Sequence, residues 1–318
     1  MDIELYNQND KNLTIGKEEQ DHLRFLINES IPLNTRIAYQ SDWKMFNQWC
    51  QSRNLVPLPC SPETLALFLM DESKTKSPKT IIRRIASIKF VHEAKNLDTP
   101  TNDKVVKKLL RGIVRTSNHI TEKKAPVTAE RLEQMVGFCQ YTITGTRDRA
   151  LLLLGFAGAF RRSELVALTM KDIVKTPEGI KVTIRKSKGD QDGKGQTIAI
   201  PNGTRFRIVD ALLAWIKVAN ITDGFIFRSI RKGGKVQQFP LTCKSVANIV
   251  KQYASQAGLT VSDFSGHSLR SGFLTSAARS GASVFKMMET SRHKNIETLS
   301  GYVRSENLFE NHAGEKFL

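Results

Sequence analysis

Ala150-Leu-Leu-Leu-Leu-Gly-Phe-Ala-Gly-Ala159 is the longest apolar run of this 318-residue chain, and Phe160-Arg161-Arg162 follows it directly. The run is far shorter than the roughly 18 apolar residues that span a bilayer, so it predicts a buried helix in a globular domain. An arginine at the end of such a helix is either an ordinary charged helix end or a group held there for a ligand. This stretch alone fits both interpretations.

Upstream of this run, residues 21–115 predict a helical N-terminal domain. Helix starts with a proline in the first turn are found at Pro32-Leu-Asn-Thr35, Ser61-Pro-Glu63 and Ser77-Pro-Lys-Thr80. The first of these helices carries an apolar stripe that we interpret as core rather than as a surface for base stacking. The stripe comprises Ile37, Tyr39, Trp43, Phe46 and Trp49, and the core face of the third helix comprises Ile81, Ile82, Ile85, Ile88 and Val91.

The formal net charge of +17 is unevenly distributed along the chain. Residues 1–73 carry −5, whereas residues 74–124 carry +10 and residues 125–318 carry +12. A basic excess can be a solvated surface, but two basic regions on either side of a linker are typical of a clamp for a polyanion. The side chains that we predict to bind DNA, mostly at its phosphates, are Lys79, Arg83, Arg84, Lys107, Lys108, Arg111 and Arg115.

The polar segment 116–126 is expected to link the first domain to a second one, residues 127–318. In the second domain, residues 179–185 and 196–200 are short β-branched runs that predict an antiparallel hairpin. Everything after Thr204 is expected to be helical. The predicted fold class is therefore mainly α, with a helical N-terminal domain and a mixed α/β C-terminal domain that is mostly helical and holds a small antiparallel sheet.

Composition argues against several classes of protein. Residues 1–20 are polar and are expected to form a flexible tail rather than a secretory signal. We therefore expect a cytoplasmic, nucleoid-associated protein with no membrane partner. The four cysteines are too scattered for a zinc site or a disulfide framework; they are Cys50, Cys60, Cys139 and Cys243.

Residue types that bind phosphate are concentrated towards the C-terminus, in His267-Ser-Leu-Arg270, His293 and Tyr302. His267 and Arg270 are three residues apart, so on a helix they would share a face and could address one ligand. Each piece alone has an ordinary explanation, such as a surface ion pair for the first or the packing of a partly exposed tyrosine for the last.

Together and in this order, these pieces resemble the tyrosine recombinase (integrase) family, in particular its Cre and Xer type. The resemblance rests on Gly158-Ala-Phe-Arg161-Arg-Ser-Glu164-Leu165, Gly266-His267-Ser-Leu-Arg270, His293 and Gly301-Tyr302-Val-Arg304. It covers roughly residues 25–318 and is strongest after Val127. Two departures stand out: Phe160 and Arg162 replace the usual aliphatic residues, and Ser291-Arg292-His293 lacks the frequent glycine before the second histidine.

The resemblance implies a catalytic set of Arg161, Lys188, His267, Arg270, His293 and Tyr302, supported by Glu164. Tyr302 would attack the scissile phosphate and form a 3′-phosphotyrosyl linkage that conserves the bond energy for rejoining, so ATP is not needed. Arg161 and Arg270 would stabilise charge on the phosphate oxygens. His267 would handle the tyrosine proton, and His293 would donate a hydrogen bond to the phosphate. A lysine on the hairpin loop would protonate the leaving 5′ oxygen; Lys188 is the first candidate, and Lys186 and Lys194 compete with it.

No metal and no cofactor is expected, because the sequence offers no carboxylate cluster for Mg²⁺. The implied partner is double-stranded DNA with inverted-repeat recombination sites, bound by a homodimer on one site and by a homotetramer in the synapse. Residues 305–318 would form an exchange segment that packs into the neighbouring subunit, or would fold back onto their own domain. The competing interpretations are a DNA-binding protein of this fold without catalysis and a type IB topoisomerase-like enzyme.

Overall fold

The computed structural model describes residues 16, 18–19, 21–22, 25–26, 30–119, 124–185, 195–297, 299 and 301–302. The chain divides into two compact units, Met1–Glu122 and Lys123–Leu318. Most of the predicted flexible tail, the three candidate lysines of the hairpin loop and the predicted exchange segment lie outside the described residues. The functional limits of the two domains and of the linker stay predictions.

The first unit is helical where it is described. Its elements are α1 (Leu33–Ser52), α2 (Pro62–Ser73), α3 (Pro78–Ala94) and α4 (Lys104–Thr116), with a 3₁₀ turn at Pro100–Asn102. Local sequence sets the helix starts, because the Ser61 hydroxyl accepts a hydrogen bond from the Thr64 amide and Ser77 accepts one from Thr80. Asp103 caps α4 by accepting from the Val105 amide at 2.6 Å.

An aromatic core holds these helices together. Phe46 of α1 is fully buried and contacts Phe68 of α2 edge to face, with ring centroids 4.9 Å apart. Trp43 and Trp49 pack against the same cluster, so these three aromatic residues of the predicted stripe belong to the core, as expected. Two aliphatic assignments were wrong: Ile37 is 53% exposed and Ile82 is 48% exposed, because each lies on the side of its helix that faces away from the core.

Arg84 is one of the predicted DNA contacts, but its side chain lies inside the fold. Its side chain is 11% exposed and forms ion pairs with Glu72 and, at 3.6 Å, with Asp42. The buried Asp42 carboxylate and the mostly buried Glu72 carboxylate need a cation close by, and Arg84 supplies it inside the fold. Arg83, half-exposed, donates two hydrogen bonds to the same Asp42 carboxylate. The other five predicted DNA contacts are exposed: Lys79, Lys107, Lys108, Arg111 and Arg115.

The second unit combines seven α-helices with two small antiparallel sheets within its described residues. The helices are α5 (Ala129–Gly137), α6 (Ile143–Ala157), α7 (Arg162–Ala167), α8 (Ile208–Val218), α9 (Cys243–Gln256), α10 (Ser268–Arg279) and α11 (Val284–Ser291). The strands are β1 (Ile173–Lys175), β2 (Gly179–Ile184), β3 (Gln196–Pro201), β4 (Arg228–Ile230) and β5 (Val236–Pro240). The predicted mainly helical fold class with a small antiparallel sheet is confirmed.

The first sheet has the order β1-β2-β3. Its β2–β3 pair is the predicted hairpin, with Val182 opposite Ile198 and Ile184 opposite Gln196. The prediction that everything after Thr204 is helical was wrong, because β4 and β5 form a second antiparallel pair. The turn between them depends on Gly233 and Gly234, which both have positive φ.

The apolar run at residues 150–159 lies in the core of the second unit. Leu151–Leu154 of α6 are fully buried, as predicted. Helix α10 packs unusually close to the start of the unit, because a Cβ added at Gly272 would lie 1.7 Å from the Val127 carbonyl oxygen. Glycine at 272 thus allows the helix that carries Arg270 to approach Val127 this closely. Across the described residues, no helix is long and apolar enough to cross a membrane.

Candidate active site

Arg161 occupies the tight turn between α6 and α7. Ala159 has a positive φ of 44°, which reverses the chain after α6, and Arg161 is the residue that precedes α7. The Glu164 carboxylate accepts hydrogen bonds from the Arg161 backbone amide at 2.9 Å and from the Arg161 guanidinium at 2.6 Å. The carboxylate therefore fixes both the backbone and the direction of the Arg161 side chain.

A second arginine holds the other side of the same carboxylate. Arg292 Nη2 lies 2.8 Å from Glu164 Oε2, and both side chains are almost completely buried. Burial by itself would raise the pKa of Glu164, but the charges of Arg292 and Arg161 outweigh it and lower the pKa below its ordinary value. Glu164 is thus an ionised group between two guanidiniums.

Arg270 of α10 is completely buried and links several parts of the site. Its Nη1 donates to the Ala159 carbonyl at 2.6 Å, and its Nη2 lies 3.2 Å from His293 Nε2. Burial, together with the charges of Arg161 and Arg292, lowers the pKa of Arg270 to about 9. The guanidinium is therefore still charged at neutral pH, in a place with little water to screen it.

His267 directly precedes α10. Partial loss of water around the imidazole and the charges of Arg270, Arg161 and Arg162 lower the pKa of His267, although the residue keeps an exposed surface. The imidazole is thus neutral at pH 7 and can accept a proton. The preceding Gly266 is needed for space, because a Cβ there would lie 2.1 Å from Cδ of Arg162.

His293 is half-buried beside Arg270, and its tautomer follows from its neighbours. The Ser291 hydroxyl donates to the Met287 carbonyl at 2.6 Å, so at 2.7 Å from His293 Nδ1 it acts as an acceptor. Nδ1 therefore carries the proton. Arg270 Nη2 lies 3.4 Å from Nδ1 and 3.2 Å from Nε2, and only the unprotonated Nε2 can accept from it. Burial and the nearby Arg270 and Arg161 charges lower the pKa of His293 to about 4, which keeps the ring neutral at pH 7.

Tyr302 lies at the edge of a small apolar cluster that includes Leu274 of α10, Met287 of α11 and Leu299. Burial raises the pKa of the Tyr302 phenol, and the charge of Arg270 lowers it in part. The phenol is thus protonated at pH 7 but lies within the field of Arg270. The structure brings Tyr302, Arg270, His293 and His267 together.

The remaining predicted residues are not all placed. Lys186, Lys188 and Lys194 lie outside the described residues, between the paired ends of β2 and β3 at Ile184 and Gln196. Among the residues that the structure describes, no group of three His, Cys, Asp or Glu side chains could hold a metal ion.

Arg292 is a further residue of the site that was not predicted. Its sequence signal is limited to the missing glycine before His293, which by itself gives the arginine no role. Arg292 has a left-handed backbone conformation directly after a helix, a position that usually favours glycine. This signal can be recognised only when the helix is known to end at Ser291. The structure shows that this arginine is part of the same charged cluster as Arg161, Glu164 and Arg270.

Comparison with known proteins identifies the family. The profile of the Phage integrase family matches residues 126–308, more than half of the chain. The chain therefore belongs to this family, and it is a tyrosine recombinase. An "Integrase/recombinase xerD homolog" from Selenomonas ruminantium is 38% identical over 286 residues, which cover 88% of this chain and 84% of the relative. The "Tyrosine recombinase XerD" of Rickettsia bellii is 22% identical over 294 residues, with coverage of 87% and 90%.

Solved structures share the fold at low sequence identity. The Tn1549 transposon integrase in complex with transposon right end DNA matches with a TM-score of 0.60 and 17% identity, over 89% of this chain and 92% of that one. XerH bound to a palindromic difH substrate gives 0.58 and 16%, over 80% and 72%. A λ integrase dimer bound to a COC′ core site gives 0.55 and 17%, over 92% and 95%.

Proposed function

We propose that this recombinase cleaves and rejoins double-stranded DNA at inverted-repeat sites through a 3′-phosphotyrosyl intermediate on Tyr302. The arrangement around Arg270 is the observation that carries the proposal. This buried guanidinium contacts His293, shares the Ala159 turn with Arg161 and acts electrostatically on both His267 and Tyr302. A tyrosine hydroxyl within the field of Arg270, with a second arginine and two neutral imidazoles grouped around that guanidinium, is suited to attack a phosphodiester.

In the proposed cleavage step, Tyr302 Oη forms a bond to the scissile phosphorus while the bond from phosphorus to the 5′ oxygen breaks. The phenol proton passes to neutral His267, and Lys188 gives a proton to the leaving 5′ oxygen. Arg161 and Arg270 stabilise the charge that builds up on the non-bridging oxygens. Rejoining reverses these transfers with a 5′ hydroxyl as the nucleophile. One phosphodiester is exchanged for another, so the step needs no ATP.

The role of His293 follows from its tautomer. Nε2 accepts from Arg270, so it must gain a proton before it can donate to a phosphate oxygen. A bound phosphodiester supplies the negative charge that raises the pKa of His293 from about 4. We propose that binding of the scissile phosphate favours protonation of His293 and frees Arg270 Nη2 to donate to the phosphate.

We propose that the first unit provides the non-specific contacts with DNA. The exposed basic residues of α4 are the strongest candidates, since Lys107, Lys108, Arg111 and Arg115 lie on one 13-residue helix. Contacts of this kind go mainly to phosphates and position the duplex without reading its sequence. Residues 21–115 would then act as a core-binding domain, and residues 127–318 as the catalytic domain.

Replacing Lys108 by alanine is expected to weaken DNA binding and to reduce the slope of log K against log salt concentration by about one. The reason is the loss of one phosphate contact and its released counterion. Fluorescence anisotropy titrations at several salt concentrations measure both quantities. Lys44→Ala serves as the matched control, because it removes the same charge from an exposed position in the acidic first part of the chain. Equal losses in the two variants would remove α4 from the DNA-binding surface.

We also propose the assembly. Two protomers would occupy one inverted-repeat site and four would form the synapse, in which strands are exchanged through a Holliday junction. The λ integrase dimer on a core site, a protein of the same fold, supports the first step. Residues 305–318 would pack into the neighbouring subunit. The enzyme would act on the nucleoid in the cytoplasm.

The function is tested with DNA from the protein's own replicon that carries candidate inverted repeats with a nick beside the scissile phosphate. After cleavage, the short fragment with the 5′ hydroxyl diffuses away and the covalent complex accumulates. We expect a protein–DNA band that resists SDS. Specific binding without any covalent product would instead indicate a DNA-binding protein without catalysis. Relaxation of supercoiled plasmids that lack such sites would indicate a topoisomerase.

A further inference from the structure

Arg292 has an unusual backbone conformation for an arginine. It directly follows α11 and has φ 58° and ψ 41°, in the left-handed region that glycine enters without steric cost. The residue is nevertheless 6% exposed. A buried, charged side chain at a position suited to glycine needs strong local contacts to hold it there.

The contacts of the Arg292 guanidinium meet that need. Nη1 donates to the carbonyl oxygens of Gly158 at 2.9 Å and Thr290 at 2.6 Å. Nη2 donates to the Ala159 carbonyl at 3.0 Å and to Glu164 Oε2 at 2.8 Å. One planar group thus ties the end of α11 to the turn before Arg161 and to the carboxylate that orients Arg161.

Phe160 completes the environment of this guanidinium. The guanidinium carbon of Arg292 lies 5.1 Å from the centroid of the Phe160 ring, a distance typical of a cation–π contact. Phe160 lies in the same turn as Gly158 and Ala159, so the contact fixes the turn from a further side. Phe160 and Arg292 are two of the three residues that depart from the family pattern in this part of the site, and they contact each other.

Arg292 also connects the two arginines of the proposed catalytic set. The Ala159 carbonyl oxygen accepts from both Arg270 and Arg292, and the Glu164 carboxylate accepts from both Arg161 and Arg292. The position of Arg161 relative to Arg270 thus depends on two acceptors that Arg292 shares with them. Without the Arg292 guanidinium, Arg161 would keep its hydrogen bond to Glu164 and Arg270 would keep its hydrogen bond to Ala159. The turn that connects the two arginines would, however, lose its contacts with Arg292.

We propose that Arg292 is a positioning residue for strand cleavage, which holds the 158–160 turn and Glu164 so that Arg161 and Arg270 reach the same phosphate. The proposal rests on the proposed function. In this role Arg292 does not need to contact DNA directly. Its loss should therefore lower the rate of cleavage and leave the affinity for DNA unchanged. A purely structural role would instead lower stability and leave the rate per folded molecule unchanged.

The experiment compares wild type with Arg292→Gly on the nicked inverted-repeat DNA. Glycine suits the backbone conformation, so this variant removes the guanidinium without straining the chain. We expect the rate of covalent complex formation at saturating DNA to fall about 100-fold, the size of effect that a misplacement of about 1 Å produces. The DNA concentration that gives half the maximal rate should stay within about three-fold of wild type, since no phosphate contact is lost.

Three further measurements separate positioning from stability. Thermal unfolding of each variant sets an assay temperature at which all of the protein is folded. Added methylguanidinium should restore part of the Arg292→Gly rate by occupying the vacated space. Arg207→Gly is the matched control, because Arg207 also has a left-handed backbone (φ 48°) and pairs with Asp210, but on an exposed surface. This control should cleave at the wild-type rate.

If the glycine variant does not fold, the cleavage rate of Arg292→Lys is measured in its place. Lysine keeps the charge but lacks the planar fork that reaches four acceptors, so we expect cleavage at least about 10-fold slower than wild type. The proposal is overturned if the folded glycine variant, or the lysine variant in its place, cleaves within about three-fold of wild type. If the wild-type protein forms no covalent product, the proposed function is contradicted, and this inference with it.

Discussion

Replacing Tyr302 with phenylalanine is expected to abolish covalent attachment to DNA and strand exchange while leaving DNA binding unchanged. The phenol oxygen is the only atom that this substitution removes, and it is the proposed nucleophile. The ring can keep its packing against Leu274, Met287 and Leu299. We expect the rate of covalent complex formation to fall at least about 10,000-fold, because no neighbouring group can replace a missing nucleophile.

Tyr141→Phe is the matched control for this variant. Tyr141 is fully exposed, so loss of its hydroxyl should leave both DNA binding and cleavage unchanged. Gel-shift titrations measure binding, and SDS gels of the nicked-site reaction measure covalent product. Persistent adduct in Tyr302→Phe would show that another residue attacks the phosphate. Loss of specific DNA binding would show that the tyrosine hydroxyl has a structural role.

The second large effect is expected for Arg270→Lys. The Arg270 guanidinium reaches the Ala159 carbonyl with one nitrogen and His293 with another, whereas a lysine ammonium is a point charge that cannot span both. It would also be placed in a fully buried position with fewer hydrogen bonds. We expect cleavage at saturating DNA to fall about 1,000-fold, the loss typical of removing one preorganised donor to a transition state.

Arg279→Lys provides the comparison on the same helix. Arg279 is exposed and lies at the other end of α10, so its replacement should leave the cleavage rate at the wild-type level. Single-turnover rates for both variants are measured on the nicked site, with circular dichroism to confirm folding. An Arg270→Lys enzyme that keeps more than about a tenth of the wild-type rate would contradict the proposed role of the two-nitrogen Arg270 guanidinium.

Local sequence signals predicted much of the fold. Serine followed by proline marked the starts of α2 and α3, because the serine caps the helix and proline suits its first turn. The apolar run before Arg161 predicted a buried helix, and β-branched residues predicted β2 and β3. The short strands β4 and β5 were missed, since three to five residues on either side of a Gly-Gly turn carry little periodicity.

Pairings between distant residues could not be predicted. Arg84 looked like any other basic residue of α3, and only the fold brings Asp42 and Glu72 to it. The proposed site residues could be identified from their order in the chain, but their geometry could not. The proton position on His293 depends on Ser291 and Met287, and the contacts of Arg292 span more than 120 residues of sequence.

We expect Tyr302 to become covalently linked to the 3′ end of the cleaved strand, and the linkage can be mapped on the protein. The wild-type complex trapped on a nicked site would be digested with trypsin and nuclease, and the adduct analysed by tandem mass spectrometry. We expect a nucleotide 3′-phosphate on Tyr302, within the tryptic peptide 295–304. A nucleotide on any other residue, or a 5′-phosphate linkage, would contradict it.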